Sequence, residues 1–344
     1  MATIVKTPAG TWKALVRKIG FPTTVKTFAS KRECQDWGRQ VEVEMTKGLY
    51  IDRADSTKMS IAAALDRYER EVTPTKKAST AHAEVNRIKH LKVELGKYSL
   101  AALSPQIIGA YRDRKIAEGQ SNNTVRLALA LVGHLYSTAS KEWGLGLVRN
   151  PVTQVRKPTV AGSARTRRLT PAQLAALLEA CRKHSNPMLG WAVELLLETA
   201  MRKGELMTLR VGQIDVQRQI VRLSDTKNGS ERTVPVSVRA AQLLALALAN
   251  PLRPPDCDLV FFGDAGKTGL RAPYTIHKLF DSCRKETNIS DFRLHDFRHE
   301  ATSRLVERGT LSDIDVASIT GHKSMQMLRR YSHLRAENLV GLLK

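Results

Sequence analysis

Six side chains toward the carboxyl-terminal end of the chain are of the types that attack on a phosphodiester requires. They comprise two arginines, a lysine, two histidines and a tyrosine, namely Arg202, Lys227, His295, Arg298, His322 and Tyr331. Cationic donors stabilise the charge that develops on a phosphate under attack. They also favour the ionised, nucleophilic form of a tyrosine hydroxyl. Together the six residues predict cleavage and rejoining of nucleic acid strands without a metal ion.

Arg202 precedes Glu205 by three positions and follows an apolar helix predicted over residues 191–199. On a helical turn this spacing lets the carboxylate hold the guanidinium in one pose, while its other edge stays available to a phosphate. Taken alone, an Arg-x-x-Glu pair is better explained as an ordinary surface ion pair. The prediction therefore depends on the other five residues.

Lys227 falls in a β-hairpin predicted over residues 220–236, with Asn228 and Gly229 in its turn. An Asn-Gly pair between alternating apolar residues is a strong hairpin signal, and it puts the lysine near the tip. There the ammonium could enter a DNA groove and protonate a departing sugar oxygen. The same pattern also fits a lysine that is merely exposed to solvent and increases the solubility of the protein.

His295 and Arg298 lie near the start of a predicted helix whose apolar face includes Leu294 and Phe297. Helical residues three apart project together, so we expect the two side chains on one exposed face as a phosphate clamp. His299 follows Arg298 directly. We expect it to support the site, and a buried hydrogen-bonding role fits it equally well.

His322 follows Gly321, and a glycine suits the left-handed position that ends a helix predicted over residues 312–319. The next helix is predicted from Ser324 through Tyr331, and backbone amides at its start would favour an anion close to His322. From the residues alone, two other interpretations stay open. The histidine could merely cap a helix, and the tyrosine could pack against arginine side chains.

The elements around these residues predict a multidomain α+β protein whose mostly helical catalytic domain carries a small antiparallel sheet or hairpin. Residues 1–57 contain strand patterns over 12–17 and 24–28 and a helix pattern over 30–46, which indicates a small sheet-plus-helix domain. Residues 58–157 show helical spacing without strand signals, so we expect a compact helical domain there.

Residues 158–168 are expected to form a basic linker that leads into a catalytic domain over residues 169–344. A flexible, basic connection between two basic domains would let the protein close around a duplex. Basic side chains in and beside this linker are candidate DNA contacts, namely Arg156, Lys157, Arg165, Arg167 and Arg168.

The charge distribution also favours a polyanionic partner. The net charge is +22, and residues 1–58, 59–160 and 161–344 carry excesses of +5, +8 and +9. Such charge holds a protein to nucleic acid through counterion release. The excess is spread over the whole chain, which argues against a lone basic tail.

Cysteine spacing and hydropathy bear on the compartment. The four cysteines are widely separated, without a C-x-x-C pair, and indicate neither a disulfide framework nor a zinc site. The first residues lack an apolar signal segment, and the longest aliphatic run is too short to span a bilayer. We therefore expect a cytoplasmic, nucleoid-associated protein without membrane contact.

In order, spacing and local sequence, the six residues resemble the catalytic set of the tyrosine recombinase (phage integrase) family. The family's arginine, lysine, His-x-x-Arg motif, histidine and tyrosine correspond to Arg202, Lys227, His295 with Arg298, His322 and Tyr331. The resemblance covers about residues 165–344. By pattern, residues 58–157 look like the family's core-site-binding domain, and residues 1–57 look like its arm-type DNA-binding domain.

Two residues depart from the family pattern. Ala200 stands where glycine is usual before the first arginine, and Leu328 replaces a commonly polar residue. Alanine fits at this position unless the backbone requires a positive φ. Because neither residue would touch a reacting atom, we expect an active enzyme.

The resemblance implies a site-specific DNA recombinase that needs no cofactor or metal ion. Tyr331 would attack the phosphate and form a 3′-phosphotyrosyl bond, with Lys227 as the general acid. His295 would accept the tyrosine proton or orient the phosphate.

The remaining catalytic residues would bind the phosphate and support the site. Arg202, Arg298 and His322 would hold the phosphate oxygens, and Glu205 and His299 would support them.

The resemblance also implies an assembly. A homotetramer would act on two double-stranded attachment sites through a Holliday junction and would integrate or excise a phage or mobile element. DNA-bending accessory proteins and an excision factor are candidate partners.

Three other functions compete with this one. A type IB topoisomerase shares the tyrosine chemistry but relaxes a single duplex. A catalytically inactive DNA-binding regulator could retain the same fold. A metal-dependent transposase is a more distant alternative, and a chelator would abolish its cleavage.

Overall fold

The computed structural model describes residues 2–48, 50, 54–147, 149–160, 167–224, 231–266, 269–322, 324–329 and 331. Its chain divides into two compact units, residues 1–163 and 164–344. Two predicted site residues, Lys227 and Arg165, lie outside the described residues.

The first unit begins with a three-stranded antiparallel sheet of order β1-β2-β3. The elements are β1 (Thr3–Lys6), β2 (Trp12–Val16), β3 (Thr24–Phe28) and α1 (Lys31–Thr46). Helix α1 packs on the sheet through Val41 and Met45, which contact Val16 of the central strand. Ser30 caps the helix by accepting a hydrogen bond from the Glu33 amide. The helix and two strands confirm the prediction, whereas β1 was not predicted.

The rest of the first unit is helical, as predicted from its apolar spacing. Its helices are α2 (Ala54–Lys58), α3 (Ile61–Glu71), α4 (Ala78–Leu95), α5 (Pro105–Ala117) and α6 (Asn122–Lys141). Serines cap three of the four long helices. A buried apolar cluster joins these helices and includes Leu65, Leu91, Ile108 and Leu135. The short helix α2 was not predicted.

The second unit is mostly helical and packs around one buried helix, α8. Its helices are α7 (Pro171–Lys183), α8 (Met188–Thr199), α9 (Lys203–Met207), α10 (Val238–Leu248), α11 (His277–Glu286), α12 (Leu294–Glu307), α13 (Asp313–Thr320) and α14 (Met325–Leu328). Helix α8 is apolar on nearly every side and packs against α7, α10 and α12. A helix that is apolar all round is a core helix. The first site residue, Arg202, follows the carboxyl end of this helix by three positions.

Two small antiparallel sheets complete the second unit. One has the order β4-β5-β6, with β4 (Ile214–Asp215), β5 (Ile220–Leu223) and β6 (Arg232–Pro235). The other pairs β7 (Phe262–Ala265) with β8 (Arg271–Pro273). In the first sheet Leu223 pairs with Arg232, so β5 and β6 form the predicted hairpin. Its tip, residues 225–230, lies outside the described residues.

Some boundaries differ from those predicted. The apolar helix begins at Met188 rather than Trp191, and the last described helix ends at Leu328 instead of continuing through Tyr331. The β7-β8 pair was not predicted, and its register is irregular between Phe262 and Ala265. In the described part of the chain we find no helix with both the length and the apolar character that a membrane crossing needs.

Candidate active site

Arg202 is held in place between two neighbours. It is the N-cap residue of α9, and its amide donates to Glu205 Oε2 at 2.9 Å. Its Nη1 donates to Glu205 Oε1 at 2.8 Å, and its Nη2 donates to the Gly321 carbonyl at 3.0 Å. The Arg-x-x-Glu pair is therefore mostly buried and oriented, unlike an ordinary surface ion pair. It links the start of α9 to the turn that follows α13.

Ala200 occupies the position at which the backbone turns out of α8. It is fully buried and has φ 52° and ψ 17°, in the left-handed region. This is the positive φ under which alanine fits poorly, since a left-handed residue with a side chain costs about 1–2 kcal/mol. The departure from glycine is thus a strained substitution at the base of the site.

Arg298 is buried, contrary to the exposed face that we expected for it. Only 4% of its surface is exposed. Its Nη1 donates to the Ala200 carbonyl at 2.7 Å, and its Nη2 lies 3.4 Å from His322 Nε2. The end of α8 covers this side of α12, which helical spacing cannot show. Burial and the nearby Arg202 lower the pKa of Arg298 to about 10.

Glu205 binds a second arginine that the sequence analysis did not select. Arg232, at the start of β6, donates to both carboxylate oxygens, from Nη1 at 3.0 Å and from Nη2 at 2.7 Å. Burial alone would raise the pKa of Glu205, but hydrogen bonds from Arg232 and Arg202 lower it to about 2. Nothing in the strand pattern distinguishes Arg232 from other basic residues of the hairpin.

The side chain of Tyr331 is buried in an apolar cluster, and its hydroxyl group contacts a histidine. Its side chain packs with Val306, Val316 and Leu328, and 5% of its surface is exposed. The hydroxyl oxygen lies 2.6 Å from Nδ1 of His299. The cluster also explains the second departure from the family pattern, because Leu328 is buried beside the tyrosine.

His295 lies one helical turn before His299, on the exposed side of α12. The two imidazole rings meet edge to face, with centroids 4.9 Å apart. In this structure it is therefore His299 that contacts the tyrosine hydroxyl, and His295 contacts His299. Sequence spacing could not assign these positions.

His322 is oriented by its own turn. Gly321 ends α13 in the left-handed region with φ 70°, as predicted. His322 Nδ1 lies 2.7 Å from the Thr320 hydroxyl oxygen, and its amide donates to the Ala317 carbonyl at 3.1 Å. The other ring nitrogen points to Arg298. The structure thus brings together five of the six predicted residues, and the sixth lies outside the described residues.

The basic residues of the linker region do not behave alike. Arg168 forms ion pairs with Glu300 and Glu307 of α12, and these contacts favour a structural role for it within the catalytic unit. Arg156, Lys157 and Arg167 are exposed. They therefore stay candidates for DNA contact.

Three arginine side chains concentrate positive charge at the candidate site. Of the side chains that the structure describes, Glu205 provides the one carboxylate that bonds to any of Arg202, Arg232 and Arg298. Three guanidinium groups and one carboxylate leave this partly buried site with a net positive charge. Because water is partly excluded there, the site should bind an anion strongly. A cavity of about 980 Å³ opens beside Arg202 and His295, and both basic and acidic side chains line it, among them Lys203, Arg284, Asp281 and Asp291.

Comparison with known proteins agrees with this geometry. Residues 167–338 match the model of the phage integrase family. A shufflon-specific DNA recombinase of Escherichia coli is 39% identical over 294 residues, which cover 83% of this chain and 72% of that protein. A putative integrase/recombinase of Haemophilus influenzae is 28% identical over 343 residues, which cover 96% and 86% of the two chains.

Solved structures show the same fold. A lambda integrase dimer bound to a COC′ core site superposes with a TM-score of 0.64 at 20% identity, and 97% of this chain and 95% of that chain are covered. The Tn1549 transposon integrase in complex with circular intermediate DNA gives a TM-score of 0.64 at 17% identity, covering 79% and 94%. With these likenesses and the arginine-histidine-tyrosine site, the chain belongs to the phage integrase family and is a tyrosine-type site-specific recombinase.

Proposed function

We propose that Tyr331 cleaves DNA by in-line attack on a scissile phosphate. Its oxygen forms a bond to phosphorus, the bond to the 5′ oxygen of the next nucleotide breaks, and that oxygen takes a proton and leaves as a hydroxyl. The product is a 3′-phosphotyrosyl bond. Because this ester keeps the energy of the broken linkage, a 5′-hydroxyl from another strand reverses the reaction without ATP.

The cluster of three arginines around a single carboxylate carries this proposal. The transition state gains negative charge on the non-bridging oxygens, and a preorganised group of donors stabilises that charge. Arg202 and Arg298 lie beside each other at the base of the site, and the Nε2 atom of His322 is next to Arg298. We assign these three residues to the phosphate oxygens.

The proton steps involve two histidines and a lysine. His299 is the first acceptor of the tyrosine proton, since its Nδ1 lies 2.6 Å from the hydroxyl oxygen. His295, on the exposed side of the same helix, orients the phosphate. Lys227 is the general acid for the leaving hydroxyl. Its role rests on the hairpin that flanks it, since the lysine itself lies outside the described residues.

The domains divide the binding of DNA between them. We assign residues 58–157 to the core site and residues 1–57 to arm-type sites, and residues 158–168 connect the first of these to the catalytic domain 169–344. The basic excess along the whole chain supports several contacts with one duplex.

We further propose that four copies act on two duplexes through a Holliday junction. A lambda integrase of the same fold has been solved as a tetramer bound to such a junction, with a TM-score of 0.62. The biological outcome would be integration or excision of a phage or mobile element, aided by DNA-bending proteins and an excision factor. Recombination at a shufflon is a second candidate, favoured by the 39% identical relative.

A nicked suicide duplex tests the reaction, because loss of the short fragment beyond the nick prevents religation and traps the adduct. Wild-type protein should form a covalent complex that survives denaturation, also in the presence of a chelator. Tyr331→Phe should form none. Cleavage without an adduct that a chelator abolishes would favour a metal-dependent transposase, and binding with neither cleavage nor adduct would favour a binding regulator. Relaxation of a supercoil without strand exchange would favour a topoisomerase.

A further inference from the structure

The hairpin that carries the proposed general acid also carries Arg232, which lies outside the six-residue set. Its guanidinium binds both oxygens of Glu205, and its side chain is only 11% exposed. A bidentate arginine-carboxylate pair fixes the relative orientation of both groups. The pair therefore joins the start of β6 to the start of α9.

The same guanidinium lies against Gly321. A Cβ atom at this position would come within 2.7 Å of Arg232 Nη1, 2.8 Å of Cζ and 3.0 Å of Nε. Because real Cβ atoms essentially never come closer than 3.0 Å, a side chain at residue 321 would push the guanidinium of Arg232 out of this position. The φ of +70° at Gly321 also favours glycine, because any side chain there would be strained.

The contacts close a ring. Arg232 binds Glu205, Glu205 binds Arg202, Arg202 donates to the Gly321 carbonyl, and Gly321 packs on Arg232. We call these residues the Glu205 ring. It joins three segments that are far apart in sequence, and two residues that we assign to the phosphate, Arg202 and His322, lie in it or next to it.

We propose that Arg232 is a positioning residue for DNA cleavage, which holds Arg202 and the turn before His322 in the geometry that the scissile phosphate requires. The inference rests on the proposed function, since it assigns a further residue to the same reaction. Arg232 acts through Glu205 and Gly321. We therefore expect its loss to slow the chemical step while DNA affinity stays nearly unchanged.

The matched control is Arg239. It also binds a buried glutamate, Glu194, with Nη2 to Oε2 at 2.8 Å and Nε to Oε2 at 3.2 Å, but on another side of the same unit. Arg239→Gln therefore removes an arginine-glutamate pair of the same unit without touching the Glu205 ring, although the Arg239 side chain is more exposed, at 48% against 11% for Arg232. If Arg232 contributed only to stability, both variants should cleave at nearly the wild-type rate whenever they are folded.

The first experiment measures adduct formation on the suicide duplex at saturating DNA, together with DNA affinity and thermal unfolding. Arg232→Gln should lower the rate about 100-fold, as displacement of catalytic groups by an ångström does, while Arg239→Gln stays within about twofold. Arg232→Lys, which keeps the charge but not the bidentate geometry, should fall between them. If Arg232→Gln does not fold, Arg232→Lys is compared with Arg239→Gln instead.

A second experiment separates positioning from stability. Replacing one non-bridging oxygen of the scissile phosphate by a methyl group removes the charge that Arg202 would bind, so on one diastereomer the penalty of Arg232→Gln should shrink at least about tenfold. An equal penalty on all substrates, or an Arg232→Gln rate within threefold of Arg239→Gln, overturns the inference. Absence of a wild-type adduct overturns the proposed function and this inference together.

Discussion

The hydroxyl oxygen of Tyr331 lies 2.6 Å from Nδ1 of His299, the residue that directly follows the buried Arg298. The proposed nucleophile therefore contacts the same helix, α12, that supplies part of the phosphate clamp. Because Arg298 and His299 are consecutive residues of α12, a movement of this helix would displace the phosphate-binding guanidinium and the contact of the tyrosine hydroxyl together. The histidine that contacts the tyrosine hydroxyl is therefore His299, which lies outside the His-x-x-Arg motif of the family.

The contact predicts that His299 matters more to proton transfer than His295. His299→Phe should lower the rate of adduct formation about 100-fold, because general base catalysis by a positioned side chain contributes at least that much. His295→Phe should have a smaller effect. Single-turnover cleavage of the suicide duplex measures both, and a larger loss for His295→Phe would show that the tyrosine proton takes another route.

Glu205 predicts a specific dependence of stability on pH. Its pKa falls from 4.5 to about 2 in the folded protein, so its ionised form stabilises the fold above pH 4.5. That contribution, about 3 kcal/mol by linkage, is lost as the pH falls from 4.5 to 2. Urea unfolding of wild type and Glu205→Gln at several pH values checks this.

The control for Glu205→Gln is Glu231→Gln, an exposed carboxylate next to β6. The Glu205→Gln protein should be less stable at pH 7, and the difference from wild type should narrow in acid. The Glu231→Gln curve should follow wild type. A constant difference between wild type and Glu205→Gln at every pH would contradict the ion-pair account.

Several of these relationships could be predicted from the sequence, and others could not. The helix predicted over residues 30–46 and the left-handed Gly321 follow from local rules, and the structure confirms them. Burial of Arg298 and the carboxylate contact of Arg232 depend on packing between segments more than 25 positions apart. Residue spacing along one element contains no information about such contacts.

Ala200 predicts an asymmetric response to substitution. Ala200→Gly relieves a positive φ but removes a buried methyl group, so the unfolding free energy should change by less than about 1 kcal/mol. Ala200→Val should cost at least about 2 kcal/mol, because a β-branched residue is strained at this φ and overpacks the buried site. Valine should also impair cleavage, since the Ala200 carbonyl holds Arg298. Equal stability of both variants would rule out the strain at Ala200.

The linker region predicts two different effects of removing basic residues. Arg168→Gln should destabilise the catalytic unit, because its guanidinium binds Glu300 and Glu307. Its effect on DNA affinity should be small. Arg156→Gln, Lys157→Gln and Arg167→Gln should instead leave stability unchanged and lower the slope of log affinity against log salt by up to about one each. Binding titrations at several salt concentrations, with thermal unfolding, measure both quantities. A lower slope for Arg168→Gln would assign it to DNA.

Locating the linkage shows whether Tyr331 forms a covalent bond with the 3′ phosphate. Wild-type protein trapped on a suicide duplex is digested with protease and nuclease, and mass spectrometry identifies the residue that carries the nucleotide. We expect a phosphate ester on Tyr331 and a free 5′-hydroxyl on the other side of the cut. A nucleotide on another residue, a 5′-phosphate linkage, or an adduct that persists in Tyr331→Phe would contradict it.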